Sequence, residues 1–355
     1  MSANQTINKP WTLVLLIGLL AGLYAAVKLL FGGHDILAAN DNIVWTLPIG
    51  SYVFFALTAT GMGLLGSLPK LLGIEALKPW SRRFTFMAIV ILMGAFISIG
   101  LELGSLGHMI YILLSPNPTS PIWWMGMLYS VELALLIAKF IKEGKSGTPP
   151  LLAGASGAVG IAAVMVLGAV FGTAESRPSF FGAYMPIYTL SMSLVCAWAT
   201  VTLFDAIAPL SGVGDSETSG AVGRVLTATL ILGASVAVAR MGMDFSNTQP
   251  VFEHVGGVLP TIGLLIALVI MLPTGSKSSR AIRGTAAALT LVSVLTLTMS
   301  IIISGQIIPV GPKAEGLPMV LTYAPNIWEV LVFVFSLSFI LLAYHLGDRL
   351  LKLEA

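Results

Sequence analysis

Pro116-Asn117-Pro118-Thr119-Ser120-Pro121-Ile122-Trp123-Trp124 sets three prolines within six residues. A helix interior cannot hold them, because each lacks an N–H and clashes with the turn before it. Strongly apolar sequence presses in from both sides, Phe84–Leu114 ahead of the stretch and Trp123–Ile141 from its end. The adjacent tryptophans carry the amphipathic rings that settle at a membrane–water interface. The stretch therefore predicts a rigid polar turn at a membrane surface, between two spanning helices. Glu102 and His108 lie shortly before it, so the turn is placed to hold the polar head of an apolar ligand.

Composition agrees with a membrane setting. Of 355 residues, 56% are hydrophobic and only 10% charged, with mean hydropathy +0.94; soluble domains carry about a quarter charged residues. The net charge of +2 singles out no partner. The one cysteine, Cys196, excludes an internal disulfide and a cysteine-held cluster built by this chain alone. The first apolar run is long enough to span and shows no small-residue cleavage pattern, so it is expected to stay as a helix and not to be removed as a signal peptide.

The pattern predicts an all-α integral membrane protein with ten spans, each near the roughly 20 residues a bilayer requires. They are Trp11–Phe31, Leu47–Leu68, Phe84–Gly104, Pro121–Ile141, Leu151–Phe171, Ala183–Asp205, Ala221–Met241, Val258–Leu272, Gly284–Ser304 and Ile327–Leu346, the eighth being the shortest. Alternate connections hold nearly all the basic residues: Lys9; Lys70, Lys78, Arg82 and Arg83; Lys139, Lys142 and Lys145; Arg224; Lys277, Arg280 and Arg283; Arg349 and Lys352. The remaining connections hold only Arg177, Arg240 and Lys313. The positive-inside rule then puts both termini in the cytoplasm. The outer connections are rich in Gly, Pro, Asn and aromatics, a composition that either closes helices or caps a pocket. Leu47-Pro48-Ile49 and Met185-Pro186-Ile187 open the second and sixth spans alike, a faint sign of a duplicated bundle.

Ionisable groups inside a bilayer are costly and point to function by default. Glu132 lies midway along the fourth span and reads either as a packed, hydrogen-bonded carboxyl or as a proton relay. Glu102, between Gly100 and Gly104, and His108 a turn and a half later can exchange protons with a quinone, since a carboxyl and an imidazole both titrate over the working range. Arg240 and Asp244 suit a pair across one helical turn, worth a few tenths of a kcal/mol. Arg177 reads as a loop anchor or a partner contact, Asp205 as a solvated helix end, and Lys28 as a snorkelling lysine. Of four histidines, His34, His108 and His254 fall at the outer side and His345 near the other end. No two sit at matching depth within spans, so no haem is expected, and no spacing for a metal stands out.

These residues resemble the NrfD/polysulfide reductase membrane-subunit family. Trp45-Thr46-Leu47-Pro48-Ile49-Gly50-Ser51-Tyr52-Val53-Phe54-Phe55 with Gly61 is similar to the opening of its first core helix. Leu101-Glu102-Leu103-Gly104 resembles its Leu-Asp-Leu-Gly element, and Pro116–Pro121 with Trp124 its Pro-Asn-x-Thr-Ser-Pro turn. Met185-Pro186-Ile187-Tyr188 falls at a similar proline-started helix, and Tyr323-Ala324-Pro325-Asn326-Ile327-Trp328-Glu329 with Ala343-Tyr344 and Arg349 is similar to the last helix of its ten-helix branch. The family often follows Asp-Leu-Gly with Arg-Pro; here Ser105-Leu106-Gly107-His108 follows, so the quinone contacts differ in detail.

The resemblance implies residues 1–46 as a peripheral helix and outer loop, 47–172 and 173–304 as two four-helix bundles, and 305–355 as an outer loop and last helix. It implies a quinone-binding anchor (menaquinone or ubiquinone) in a bacterial or archaeal cytoplasmic membrane, without haem or metal in this chain. A periplasmic four-cluster iron–sulfur subunit would dock outside and serve a catalytic subunit expected to hold molybdopterin; membrane lipid surrounds the chain, and no nucleic acid is expected. Tyr52, Glu102, His108 and Asn117 would line the head-group pocket with Trp45, Ser120 and Arg240 nearby. Glu102 and His108 would exchange protons there, and Glu132 would lie on a proton path. The rival from another class is a secondary transporter with a midmembrane carboxylate site.

Overall fold

The structure is a computed structural model that describes residues 9–103, 106–145, 147–177, 179–207, 216–247, 257–272, 279–311, 314–351 and 353. Its long helices are α1 (Lys9–Gly32), α2 (Leu47–Leu72), α3 (Ser81–Glu102), α4 (Pro121–Glu143), α5 (Pro150–Gly172), α6 (Met185–Ile207), α7 (Ser216–Asn247), α8 (Val258–Met271), α9 (Arg280–Ile307) and α10 (Ile327–Leu350). Among the described residues there is no strand, and nine helices are long and apolar enough to cross a membrane. The exception is α8: its 14 residues reach about 21 Å at 1.5 Å per residue, short of a hydrocarbon core of about 30 Å. The protein is a multi-pass helical membrane protein.

Local sequence explains where the helices begin. Proline stands in the first turn of α2, α4 and α5, where its missing N–H costs nothing. Ser120, Ser279 and Asn326 cap α4, α9 and α10, accepting backbone N–H groups of the first turn. Inside the helices, hydroxyls such as Thr58, Thr85, Thr200 and Thr290 donate to the carbonyl four residues back, which satisfies them without water.

The helices pack around α2, where 83% of the spanning window is buried against 28% for α1, α4 and α10. α2, α3, α4 and α5 form one ring of neighbours, each on the next and α5 back on α2; α6, α7, α8 and α9 form another. α2 and α5 pack on α6, and α2 on α9, to join the rings; α1 pairs with α10, which lies on α3 and α2. Close crossings use glycine: a Cβ at Gly61 would stand 2.8 Å from Cβ of Ala197 and closer still to the Ser193 carbonyl. In lipid such small-residue crossings supply the packing that a hydrophobic effect cannot.

A shift of 138 residues, the one that carries Pro48 onto Pro186, carries the bounds of α2–α5 onto stretches within or overlapping α6–α9. It also carries Glu102 onto Arg240 and Thr46 onto Tyr184. The sequence echo is thus matched by helix placement and by neighbour pattern.

The basic residues gather at the end of the bundle opposite the start of α2, but not all are loop charges. Lys139 is 1% exposed inside the first ring, and Arg283 is buried against Asp205 with 3.7 Å between Nη2 and Oδ2. Asp205 is therefore a buried ion-pair member and not a solvated helix end. Lys277, Lys313 and Lys352 lie outside the described residues.

Candidate functional site

The site begins with how α2 is started. Its N-cap residue, Thr46, makes no cap bond with its own side chain. Neighbouring elements supply the acceptors instead. Glu102, at the end of α3, takes the Thr46 N–H at 3.0 Å and its hydroxyl at 2.8 Å. The Tyr323 hydroxyl takes the Leu47 N–H at 2.8 Å and donates to Glu329. Glu329 also accepts the Ala38 N–H at 2.6 Å. Gln306, at the end of α9, accepts the N–H groups of Val44 (2.9 Å) and Trp45 (2.8 Å) and donates to the Trp45 carbonyl at 2.9 Å. The chain entering α2 is thereby fixed by α3, α9 and α10, with Glu102, Glu329 and Gln306 all buried.

Tyr323 lies in the loop ahead of α10. Burial, followed by its hydrogen bond to Glu329, holds its hydroxyl above the ordinary tyrosine range. An unfolded chain would release this proton first, near pH 10, so the contribution is complete below that pH and declines above it. The expected result is that stability in detergent falls as pH rises past about 10, and that Tyr323→Phe flattens this fall. An identical slope in both proteins would remove Tyr323 from the network.

The clamp positions Trp45, which packs on Phe171 and Phe180 at ring-centroid distances of 5.7 and 5.9 Å. Beneath it opens a cavity of about 130 Å³ whose lining includes Trp45, Ile49, Tyr52, Leu103 and Phe171. It shares Tyr52, Ile99, Leu103, Ile122 and Met125 with a larger one of about 480 Å³ between α2, α3, α4 and the 106–114 segment. That volume falls in the range of small-molecule sites, and the lining is mostly apolar, with Tyr52 and Ser130 as its polar side chains, as an apolar ligand with few polar atoms requires.

Polar groups stand behind this cavity. Tyr52 meets Tyr129 edge-on with ring centroids 6.2 Å apart, and both lie within electrostatic reach of Glu132. Glu132 is 1% exposed and accepts a hydrogen bond from Thr60 at 3.1 Å. Its carboxyl occupies room left by glycine, for a Cβ at Gly160 would stand 2.9 Å from Oε1. The 138-residue shift carries Tyr52, Tyr129 and Glu132 onto Leu190, Ala267 and Ile270. At these three positions the first ring is polar and the second apolar; the second ring buries its own charges elsewhere, in the pairs Arg240–Asp244 and Asp205–Arg283.

The structure brings together some of the residues singled out from sequence and separates others. Trp45 and Tyr52 line the cavities. Glu102 is one residue from the lining Leu103, and its carboxyl is committed to Thr46. Asn117 is exposed and accepts the Thr119 hydroxyl at 2.8 Å; Ser120 caps α4. The paired indoles brace the same turn, Trp123 donating to Ile112 O at 2.7 Å and Trp124 to Pro118 O at 2.9 Å. His108 has its backbone in the 3-10 turn Leu106–Ile110, and its side chain lies outside the described residues, as do that of His34 and all of Gly104 and His254. His345 contacts Thr12 at 3.4 Å.

Arg240 is in the second ring. It is buried with Asp244 at 3.0 Å, so this is an interior ion pair and not the surface pair its spacing suggests. Tyr184 hydrogen-bonds to Arg240. Arg177 donates to Ile308 O at 3.1 Å and anchors a loop. Glu329, Gln306, Tyr129 and the buried state of Lys139 escape sequence reasoning. Tyr129 had a usable signal, lying three residues before Glu132 on one helix face. A search among protein-family models and curated proteins finds no match to this chain.

Proposed function

We propose that the chain is a quinone-binding membrane anchor of a multi-subunit respiratory oxidoreductase. The observation that carries this reading is the cavity of about 480 Å³, mostly apolar, with Tyr52 in its lining and Tyr129 and Glu132 behind Tyr52. A quinone needs such a place: an apolar slot for ring and tail, one or two hydrogen-bonding groups for the oxygens, and a titratable group behind them. Tyr52 faces the quinone, Trp45 and Phe171 close the inner chamber, and Glu132 relays protons. Glu102 acts from behind by fixing Trp45 and α2; His108, Asn117 and Ser120 belong to the segments that roof the site, and Arg240 braces the second ring.

In this reading α1–α10 are ten spans, with α2–α5 and α6–α9 as two four-helix bundles and both termini cytoplasmic. The partner is an iron–sulfur subunit in the periplasm, passing electrons between the quinone and a molybdopterin-type catalytic subunit. Support for a partner at the end where α2 starts comes from apolar side chains exposed outside the spans, Val44, Phe181, Leu317 and Met319 among them. A transporter built on Glu132 would need broken helices at its depth. Instead α4 runs unbroken for eleven residues on either side of Glu132.

The test is a titration of the purified chain with a short-chain naphthoquinone, read by quenching of tryptophan fluorescence. Gly126 lines the cavity, and its added Cβ would face Ile112 at 3.1 Å. Gly126→Phe is expected to fill the space and weaken binding at least tenfold while the protein stays monodisperse. Equal affinity in wild type and variant would sink the assignment of the site; no wild-type binding would sink the quinone reading.

A further inference from the structure

We infer that the interior of the α2–α5 ring is a proton path joining the basic end of the bundle to the Tyr52 cavity. The inference rests on the quinone reading above. Its basis is the inverted character of α4. Residues Met125, Tyr129, Glu132, Leu136 and Lys139 are its buried face, while Ile122, Trp124, Val131, Ile137 and Ile141 are exposed. A spanning helix that turns apolar residues outward and a tyrosine, a carboxyl and an ammonium inward bears a cost that packing alone does not require.

The other helices are cut to fit this face. Lys139 donates to Ser67 at 3.1 Å and lies 3.9 Å from Glu143 Oε1. The Ser81 hydroxyl stands 2.6 Å from that same carboxylate oxygen, at the start of α3. Gly66 makes room for the ammonium, because a Cβ there would stand 2.9 Å from Nζ. Farther in, Thr60 and Gly160 frame Glu132. Two buried polar atoms in this ring, Glu143 Oε2 and Ser156 Oγ, find no hydrogen-bond partner among the described residues, and the Tyr129 hydroxyl stands beside that of Thr60. Buried groups of this kind are ordinarily met by water, which also carries protons.

Between Glu132 and Lys139 stands Leu136, wholly buried. The two ionisable residues are seven positions apart on one face, about 10.5 Å along the axis. A lysine can cover much of that distance by swinging its four-carbon stem. Lys139 therefore serves as the movable carrier, Glu143 and Ser81 as the entry, and Glu132 as the last carboxyl before the tyrosines. The repeat mates of Tyr52, Tyr129 and Glu132 are apolar, so the second ring offers no matching route at these positions.

One quinone takes two electrons, one at a time, from an iron–sulfur donor in the partner subunit, and two protons in turn from Glu132 through the Tyr129 and Tyr52 hydroxyls. Each oxygen gains one hydrogen, giving the quinol. Glu132 is reprotonated by the Lys139 ammonium, which regains its proton from the Glu143 side. Quinol oxidation runs the same transfers backward.

The native complex would be reconstituted in liposomes with a trapped pH dye, and its orientation scored with a tag on one terminus. Reduced methyl viologen supplies electrons, and a short-chain naphthoquinone accepts them. The expected result is loss of two protons per quinone from the compartment facing the basic end. Glu132→Gln and Lys139→Met should each slow turnover at least tenfold with naphthoquinone affinity within twofold, and Glu132→Asp should recover part of the rate. Proton loss from the opposite compartment, or full turnover in both variants, overturns the path while the quinone site stands. Failure of the wild type to bind the naphthoquinone overturns both. The wild-type sidedness requires no variant to fold.

Discussion

Glu102→Ala is expected to lower the unfolding free energy of the detergent-solubilised chain by about 3 kcal/mol or more, since each buried group stripped of its partner costs about 1–3 kcal/mol. Alanine removes the acceptor for both the N–H and the hydroxyl of Thr46, a residue with no exposed surface. It also removes a carboxyl from the N-terminal end of α2, where the helix dipole favours negative charge. α2 touches both rings, so a frayed start is felt throughout the core. Glu102→Gln keeps an acceptor oxygen and should recover more than half of the loss. Thr46→Ala deletes only the hydroxyl and should cost about 1 kcal/mol. Denaturation of the three variants by increasing SDS fraction gives the ordering directly. An alanine variant as stable as wild type would end the structural role. A glutamine variant of wild-type stability without quinol-linked turnover would make Glu102 the proton-exchanging group that its sequence context suggests.

Much of the architecture is legible in the sequence because a bilayer leaves few choices. Apolar runs near 20 residues become helices, and prolines or caps mark their starts, as Pro48, Pro121 and Asn326 do here. The site is harder to read, because sequence shows that a polar residue lies within a span but not which neighbour it meets. Asn117 sits in the most distinctive motif of the chain, yet its amide oxygen closes the turn. Glu102 resembles a catalytic carboxyl and spends both oxygens on Thr46. Lys139 looks like one more basic loop residue, three positions from Lys142, and only its burial and its hydrogen bond to Ser67 of α2 show that it is enclosed. Tyr129 passes for an ordinary membrane aromatic until its ring meets Tyr52. The distinction between the rings is likewise invisible without the register, since it depends on setting Glu132 beside Ile270.

Gly61→Leu is expected to abolish accumulation of folded protein. Gly61 is where α2 crosses α6, and the space for a side chain is already filled by the Ser193 carbonyl and by Ala197, whose Cβ would lie 2.8 Å from an added Cβ. A flexible side chain could turn aside, but a helix carbonyl moves only if its helix moves. Overpacking a well-filled core costs about 1–3 kcal/mol even where side chains yield, and here α6 would have to withdraw from α2. That displacement reaches the site, because α2 also carries Tyr52 and Thr60 toward Glu132 and begins two residues after Trp45. Gly61→Ala should be the informative intermediate: folded in lower yield, with weakened naphthoquinone binding if the two rings separate slightly. Gly154→Ala is the control, since its Cβ would meet nothing closer than Leu71 at 3.8 Å, and it should behave as wild type. Size-exclusion profiles and SDS unfolding midpoints of the three proteins decide the matter. A monodisperse, wild-type-like Gly61→Leu protein would mean that α2 and α6 do not meet at Gly61, and the joining of the two rings would have to be redrawn.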